Sequence, residues 1–571
     1  MSKKTQQKPW DFLEEFRGSL FTADWPTLPQ MFLISTKRYP DRACFTDFDA
    51  EKHTLSYTEV LEKVENLALW LKNNGVKKGD HIAVFGKNSP EWATVYLAAG
   101  FAGAIIVPID YGLHDKEIAT LLAVSAPSFI FVDEEKYDVF KKSHGEKVFS
   151  LSKKKGDYVY DLKGSGNFEM PELAEDDTAA ILFTSGTTGN PKGVMLSHKN
   201  LVSDCYIAQT NMTIYHTDVF YALLPIHHSY TMLAVFIEAL SVGAEIVFGK
   251  SMAVTRMLKE LKEGKITMLL GVPLLFNKLV GGILKGIREK GVLVNAFMHF
   301  LLGFSYILKK YFKLNAGKVL FKSILEKVSL STIRIAICGG GPLAESVFKV
   351  YQALGIDFVQ GYGLTETSPI VALNPTYNFK IESVGRNFHP FMEMKILDPD
   401  EKGIGEVLIK GPMVMQGYYK MPEETKDVFT EDGWFKTGDL GRLDDEHYLY
   451  LAGRAKNMIV TEGGKNVYPE EIENAFQLVT DIEQITVKGY IVDKATKSEG
   501  IEALIYPSDD LFKRLNIVRG SDYSIDLVRD EIQEAVNKIN KELVVYSRIS
   551  KITILDEPLE MTTTKKVKRN F

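Results

Sequence analysis

Residues 181 to 193 read ILFTSGTTGNPKG, an apolar strand-like Ile-Leu-Phe running into a loop that holds Gly186, Gly189 and Gly193. Four hydroxyl residues, Thr184, Ser185, Thr187 and Thr188, lie among the glycines, and Lys192 follows Pro191. Glycines let backbone N–H groups close on an anion. Hydroxyls add donors without bulk, and a lysine adds a compact positive charge. The combination reads as a cradle for a polyphosphate; a plain surface turn is the competing reading by composition. The spacing is GxxGxxKG rather than the GxxxxGK[ST] of a Walker A loop, which disfavours a P-loop ATPase or kinase.

Outward from this loop the chain alternates helices and strands. Ser56-Tyr57-Thr58-Glu59 has the form of a capping box. It opens a helix with apolar positions Val60, Leu61, Val64, Leu67, Ala68 and Leu71, and Gly75 is its stop. A strand-like HIAVFG follows, then a helix over PEWATVYLAAGFAG, a strand at AIIVPI and another at SFIFVD. Such alternation predicts βαβ units and mostly parallel sheets. From about 383 to 452 short strands and turns dominate, as in GIGEVLIKGP and HYLYLAGR, predicting a small β-rich subdomain. Further on, Pro469 suits a first helical turn with Glu470 and Glu471 at its positive end. ITVKGYIV reads as a strand, and Ser524 as the cap of a helix carrying Val528, Ile532, Ala535, Val536, Ile539 and Leu543. The expected organisation is a large domain over 1–453 and a smaller one over 454–571, hinged near 454–456.

Further stretches carry chemistry. LPIHHSY spans 224–230, CGGGPL 338–343, QGYGLTET 360–367, DGWFKTGD 432–439, GRAKNMIV 453–460, EGGKNVYPEEIE 462–473 and MTTTKKVKRNF 561–571. Glycines after a strand admit a flat ligand. Tyr362 offers an aromatic face, Glu366 a hard oxygen suited to Mg²⁺, and Asp439 a carboxylate that can accept from both ribose hydroxyls. Taken singly each has a plainer reading: core histidines, a turn aspartate, a solvated basic tail.

In this order, over nearly the whole chain, these stretches resemble the signatures of the adenylate-forming superfamily, which includes acyl-CoA synthetases, firefly luciferase and peptide-synthetase adenylation domains. The resemblance implies an α/β fold: a large N-terminal domain of layered βαβ sheets, then a small mobile α+β C-terminal domain. It implies that Thr184, Ser185, Gly186, Thr187, Thr188, Gly189 and Lys192 hold the ATP phosphates. Adenine would pack near Gly339, Gly340 and Gly341 and against Tyr362 and Gly363. Thr365 would bond the α-phosphate, Glu366 and Thr184 would hold Mg²⁺, and Asp439 and Arg454 would hold the ribose. His228 matches the histidine of the family's LPxxH stretch beside the acyl pocket, with Tyr230 near the carboxylate. Lys456 takes the hinge position, and Gly463, Gly464 and Lys465 lie where relatives meet the pantetheine arm of coenzyme A. The family's TxSGK pattern is broken in the tail, where Lys565 stands at the glycine position. Lys566 is read as the catalytic lysine, with Lys565 as the alternative.

The implied chemistry makes a carboxylate reactive by joining it to AMP with loss of pyrophosphate. Negative charge grows on the α-phosphate, which Mg²⁺, the hydroxyl loop and Lys566 would offset. A thiol then attacks the acyl-adenylate, and a hinged second domain supplies the second arrangement of the site.

Composition fits a folded chain of ordinary type, with 45% hydrophobic and 25% charged residues. The net charge of −6 gives no global case for nucleic acid. Cys44, Cys205 and Cys338 lack CxxC spacing and read as buried thiols of a reducing cytosol. The polar start MSKKTQQKPWDFLEEF has no signal-peptide core, so a cytoplasmic protein is expected. Residues 283–330 form a distinctive insertion: Gly291 to Leu308 is free of charged residues, and nine Lys or Arg stand against two Glu. An apolar segment with basic flanks suits peripheral contact with an anionic membrane, with an ordinary core helix as the alternative. A span is disfavoured because it would split one domain across a bilayer.

Long-chain synthetases resemble this chain in carrying extra helical sequence there, so the expected reaction joins a long-chain fatty acid to coenzyme A at the expense of ATP. Met232 stands where some bacterial long-chain enzymes have a gating tryptophan. An acyl-carrier-protein synthetase sharing the adenylation step is the first alternative, and a catalytically silent lipid- or nucleotide-binding protein the remote one.

Overall fold

The computed structural model describes residues 8–571 except 49–50, 185–190, 252, 342, 462–464, 494–497, 521–523, 562–566, 568 and 570–571. Among the described residues the strands form sheets of thirteen, seven, three and two strands. The seven-stranded sheet has a parallel centre, where His81–Phe85 pairs with Ile105–Pro108 and Phe129–Val132. Its antiparallel edge is the hairpin of Thr178–Thr184 with Lys192–Ser197, closed by the short strand Gly417–Tyr418. ILF therefore lies in a strand, and the glycine-hydroxyl loop is the connection of that hairpin.

The thirteen-stranded sheet is parallel at its centre, through Glu245–Phe248, Val219–Ala222, Met268–Gly271, Ile335–Cys338 and Asp357–Gly363. After Gly363 the chain reverses, and Ile370–Leu373 returns antiparallel. The β-rich stretch after 383 continues from that strand through Gly385–Asn387, Tyr448–Arg454 and Phe435–Leu443. It extends the same sheet rather than folding apart from it. One apolar core holds side chains from both sheets, among them Ile82, Val84, Phe220 and Phe248. Helix Pro90–Phe101 is apolar on every side because nearly every side is buried, Trp92 included.

The capping box at Ser56 forms: Ser56 Oγ accepts from the Glu59 N–H at 3.2 Å, and a Glu59 carboxylate oxygen accepts from the Ser56 N–H at 2.7 Å. A cap of this kind contributes about 1 kcal/mol. The helix runs Tyr57–Asn73 and buries Val60, Val64, Leu67, Ala68 and Leu71. Gly75 follows at φ +88, a conformation that stops the helix.

The C-terminal domain has its own core, including Ile459, Val487, Ile505, Ile532 and Val536. Strands Ile482–Asp493 and Ser498–Pro507 pair antiparallel, and Lys551–Ile554 adds in parallel. Helix Pro469–Ala475 begins at the predicted proline, and the last long helix begins at Ser524. The two domains touch where Gln477 Oε1 accepts from the Ala344 N–H at 2.7 Å.

Two buried acids lie under the large domain. Asp204 accepts from the Ile370 N–H at 2.9 Å. Burial pushes the Glu238 carboxyl up to about 8 from an ordinary 4.5. Glu238 is thus protonated in the folded protein at neutral pH. The stability it contributes is complete below about pH 4.5 and is lost as pH rises toward about 8, with a slope of up to about 1.4 kcal/mol per unit. Glu238→Gln should remove that slope. Denaturant unfolding of both proteins across the window checks this, and an unchanged slope in the variant would refute the assignment.

Candidate active site

The end of the candidate site expected to hold phosphate is the Thr178–Thr184 and Lys192–Ser197 hairpin. Thr184 and Lys192 face each other as its last strand pair, and the Lys192 carbonyl lies 3.5 Å from the Thr184 hydroxyl. The short strand Gly417–Tyr418 pairs with Val194 and Met195. Tyr418 thereby comes under Lys192, whose ammonium lies 4.7 Å from the ring centre. Its hydroxyl donates to Glu366 Oε1 at 2.9 Å. Three residues remote in sequence, Lys192, Glu366 and Tyr418, thus form one cluster. Tyr418 belongs to no motif read from the sequence; its signal was the glycine-tyrosine pair after the apolar GPMVMQ.

Glu366 is fixed from several directions. Its carbonyl accepts from the Met415 N–H at 2.8 Å, and Ser368 Oγ donates to the Met413 carbonyl at 2.8 Å. Asp204, a second residue missed in the sequence, holds the Ile370 N–H just beyond. Gly363 opens this turn, and a Cβ there would stand 1.6 Å from the Pro369 carbonyl oxygen, so only glycine fits. Thr365 Oγ1 lies 3.0 Å from Ser229 Oγ, tying the GLTET turn to the histidine segment.

The nucleoside end is a chain of three side chains. Tyr362 donates to Asp439 Oδ2 at 2.6 Å, and Arg454 Nε lies 2.7 Å from Asp439 Oδ1. Asp439 and Arg454 are direct strand partners. Burial, and then the Asp439 carboxylate, push the Tyr362 phenol well above its ordinary range, so it remains the donor. The Asp439 N–H is held by Thr437 Oγ1 at 3.1 Å.

The Tyr230 ring covers Gly339, where a Cβ would come within 2.9 Å of it, and its hydroxyl donates to the Ile337 carbonyl at 3.1 Å. Tyr230 thus joins the histidine segment to the first of the three glycines. Gly340 has φ +79, and Gly341 lies against Pro273. His228 precedes the turn Ser229–Thr231, and its carbonyl accepts from the Met232 N–H at 2.8 Å. Buried His227 lies 3.4 Å from Asp110, and its ring centre is 4.3 Å from that of His228 with the planes tilted by 44°. Asp110 is a third residue that no motif announced; it stands within ion-pair distance of His227 Nε2, which makes no hydrogen bond among the described residues.

Lys456 lies in the turn Ala455–Asn457 that follows the large sheet. Burial, helped by Arg454 and Arg569, lowers its pKa. Lys465 stands at the foot of the hairpin of Ile459–Val460 with Asn466–Val467, accepting through its carbonyl from Thr461. Arg569 in the tail pairs with Glu473 at 2.6 Å, and Met561 bridges to Val567. Ser185, Gly186, Thr187, Thr188 and Gly189 of the loop, Gly463 and Gly464, and both Lys565 and Lys566 lie outside the described residues.

Comparison with known proteins identifies the family and the fold. The family model for "AMP-binding enzyme" matches residues 32–419. The chain is 27% identical to an Arabidopsis thaliana chloroplastic long-chain-fatty-acid–[acyl-carrier-protein] ligase, covering all of this chain and 89% of that protein. It is 28% identical to the long-chain-fatty-acid–CoA ligase FadD15 of Mycobacterium bovis, covering 90% and 89%. Among solved structures, an ATP-bound RpMatB-BxBclM chimera superposes with a TM-score of 0.73 at 25% identity, covering 94% of this chain and 97% of that one. The Bacillus subtilis o-succinylbenzoate coenzyme A synthetase bound to ATP and magnesium shares the fold with a TM-score of 0.71 at 22% identity, covering 95% and 98%. The chain belongs to the AMP-binding enzyme family and is an adenylate-forming, acyl-activating ligase.

Proposed function

We propose that the protein activates a long-chain fatty acid with ATP, forming acyl-AMP and pyrophosphate, and then transfers the acyl group to coenzyme A with release of AMP. The observations that carry the adenylation step are the convergence of Lys192, the strand partner of Thr184, and Glu366 on Tyr418, and the Tyr362–Asp439–Arg454 chain. The long-chain part rests on the apolar insertion and on the two fatty-acid ligases among the relatives.

The roles follow from the chemistry of each group. Asp439 and Arg454 hold the ribose, and Tyr362 faces adenine. Lys192 and the hydroxyl loop neutralise the outer phosphates, and Thr365 donates to the α-phosphate. The fatty carboxylate oxygen attacks the α-phosphorus while the bond to the β-phosphate oxygen breaks, and pyrophosphate takes the electron pair. Lys566 supplies charge at that atom. His228 and Tyr230 border the acyl end. Glu366 and Thr184 offer a carboxylate and a hydroxyl, the hard oxygens that Mg²⁺ takes alongside phosphates and water. When bound, that ion offsets phosphate charge. Turning about 454–456 then brings the 462–465 segment to the site, the acyl carbon accepts the thiol sulfur, and AMP leaves. A Tyr418→Phe enzyme should lose about tenfold in exchange rate, the size of one hydrogen bond to a charged acceptor, and need more Mg²⁺. Unchanged magnesium dependence would contradict the role given to that contact.

A carrier protein is the second acceptor to consider, because one relative of matching length is named for that reaction. ATP–pyrophosphate exchange over carboxylates from acetate to oleate, followed by thioester formation with coenzyme A or with acyl carrier protein, decides the matter. Exchange that peaks with long chains and coenzyme A-dependent product supports the proposal. Product with carrier protein alone replaces the acceptor, and exchange confined to short or aromatic acids rejects the fatty-acid reading.

A further inference from the structure

Helix Val292–Phe312 is apolar on two sides. Toward the protein, Leu302 is buried and Met298, Leu301 and Tyr306 pack on the core, and Ser305 is buried and donates to the Ala353 carbonyl at 2.6 Å. Lys309 is buried as well, donating to the Ile356 carbonyl at 3.0 Å and pairing with Asp357 at 2.9 Å. A second apolar face meets water. Leu293 is 86% exposed, Phe297 59% and Phe300 68%, and Phe304, Ile307 and Tyr311 continue the stripe. Steps of three and four residues keep these on one face. Surface helices of globular proteins bury that face. Leu314, Val319 and Leu320 enlarge the patch beyond the helix. By length and composition this is the one helix among the described residues that could cross a membrane. Its inner side is bonded to Ala353, Ile356 and Asp357 of the same domain, so it cannot leave to do so.

Charge surrounds the patch. Lys285, Arg288 and Lys290 precede the helix, Lys310 lies in its last turn, and Lys313, Lys322 and Lys327 follow it, against Glu289 and Glu326 alone. We propose that this face docks on an anionic lipid bilayer, the helix lying in the plane of the interface. The stripe would enter the acyl boundary while the lysines and the arginine meet headgroups. The observations favour lipid over an acidic protein because the stripe offers no polar atom except the Tyr311 hydroxyl, whereas protein interfaces carry about one hydrogen bond per 100–200 Å². Helix Pro273–Arg288, about 24 Å long, runs from Pro273 beside Gly341 to this helix and packs on it. Docking would therefore hold the acyl end of the site at a fixed distance from the bilayer. That use of docking rests on the long-chain reading; docking itself rests on the surface.

Co-sedimentation of the full-length protein with phosphatidylcholine vesicles, with and without phosphatidylglycerol, tests it. The protein should bind the anionic vesicles more tightly than the neutral ones and release them as salt rises. A Phe297→Ser, Phe300→Ser, Phe304→Ser variant should bind about a hundredfold more weakly or less, with unchanged ATP–pyrophosphate exchange on a water-soluble carboxylate. Failure of the unmodified protein to bind anionic vesicles overturns the proposal, as does a triple variant that binds like it. A dimer that this variant dissociates, without vesicle binding, would make the face a self-association surface. Capture by an acidic carrier protein alone would likewise reject lipid. The vesicle measurement involves no turnover, so failure of the ligase reading would leave its result intact.

Discussion

A Glu366→Gln enzyme is expected to lose ATP–pyrophosphate exchange by about a hundred- to a thousandfold, the range seen when one stabiliser of transition-state charge is removed. Glutamine keeps the size of glutamate, and its amide oxygen can still accept from Tyr418, 2.9 Å from the carboxylate in the native protein. The Met415 bond to the backbone of residue 366 is untouched. The substitution therefore removes one negative charge and little else. Thermal unfolding should match the parent, and the residual rate should show weak, non-saturating dependence on Mg²⁺. Exchange within tenfold of the parent with the same magnesium curve would remove Glu366 from the proposed machinery.

The second large effect concerns the tail. Lys566→Ala should lower acyl-adenylate formation by about a hundredfold or more, yet leave thioester formation from supplied acyl-adenylate near the parent rate. Lys565→Ala should leave both steps nearly intact. Among the described residues of the tail, Arg569 pairs with Glu473 of the C-terminal domain, and Met561 bridges to Val567. Reversed behaviour of the two variants would exchange their roles, and full adenylation by both would end the tail's part in the first step.

The sequence disclosed what is local. Ser56 and Glu59 are neighbours on one turn, so their capping box could be read directly, and the ILF strand and Pro469 helix start likewise. It disclosed the elements of the site but not their joints. Tyr418 reaches Lys192 and Glu366 only because a two-residue strand pairs with a hairpin more than two hundred residues earlier. Asp110 meets His227, and Asp204 meets Ile370, by packing between sheets that no spacing rule encodes. The apolar insertion shows a different limit. Its lack of charge and its basic flanks were visible, but they do not say which face is inward. The usual rule would have buried Phe297 and Phe300 and exposed Ser305 and Lys309, the reverse of what forms.

Thr184 and Lys192 belong to the seven-stranded sheet, whereas Tyr362, Asp439 and Arg454 belong to the thirteen-stranded one, and Tyr418 with Glu366 spans the gap. The two halves of the proposed nucleotide grip thus rest on separate sheets. Substitutions confined to the strands of Asp439 and Arg454 should leave the Thr184–Lys192 hairpin intact, and the reverse, so long as the tyrosine that spans them is kept. Parts exchanged between relatives should stay compatible when each sheet travels whole together with its side of that link, and should fail when an exchange separates Tyr418 from the hairpin it pairs with.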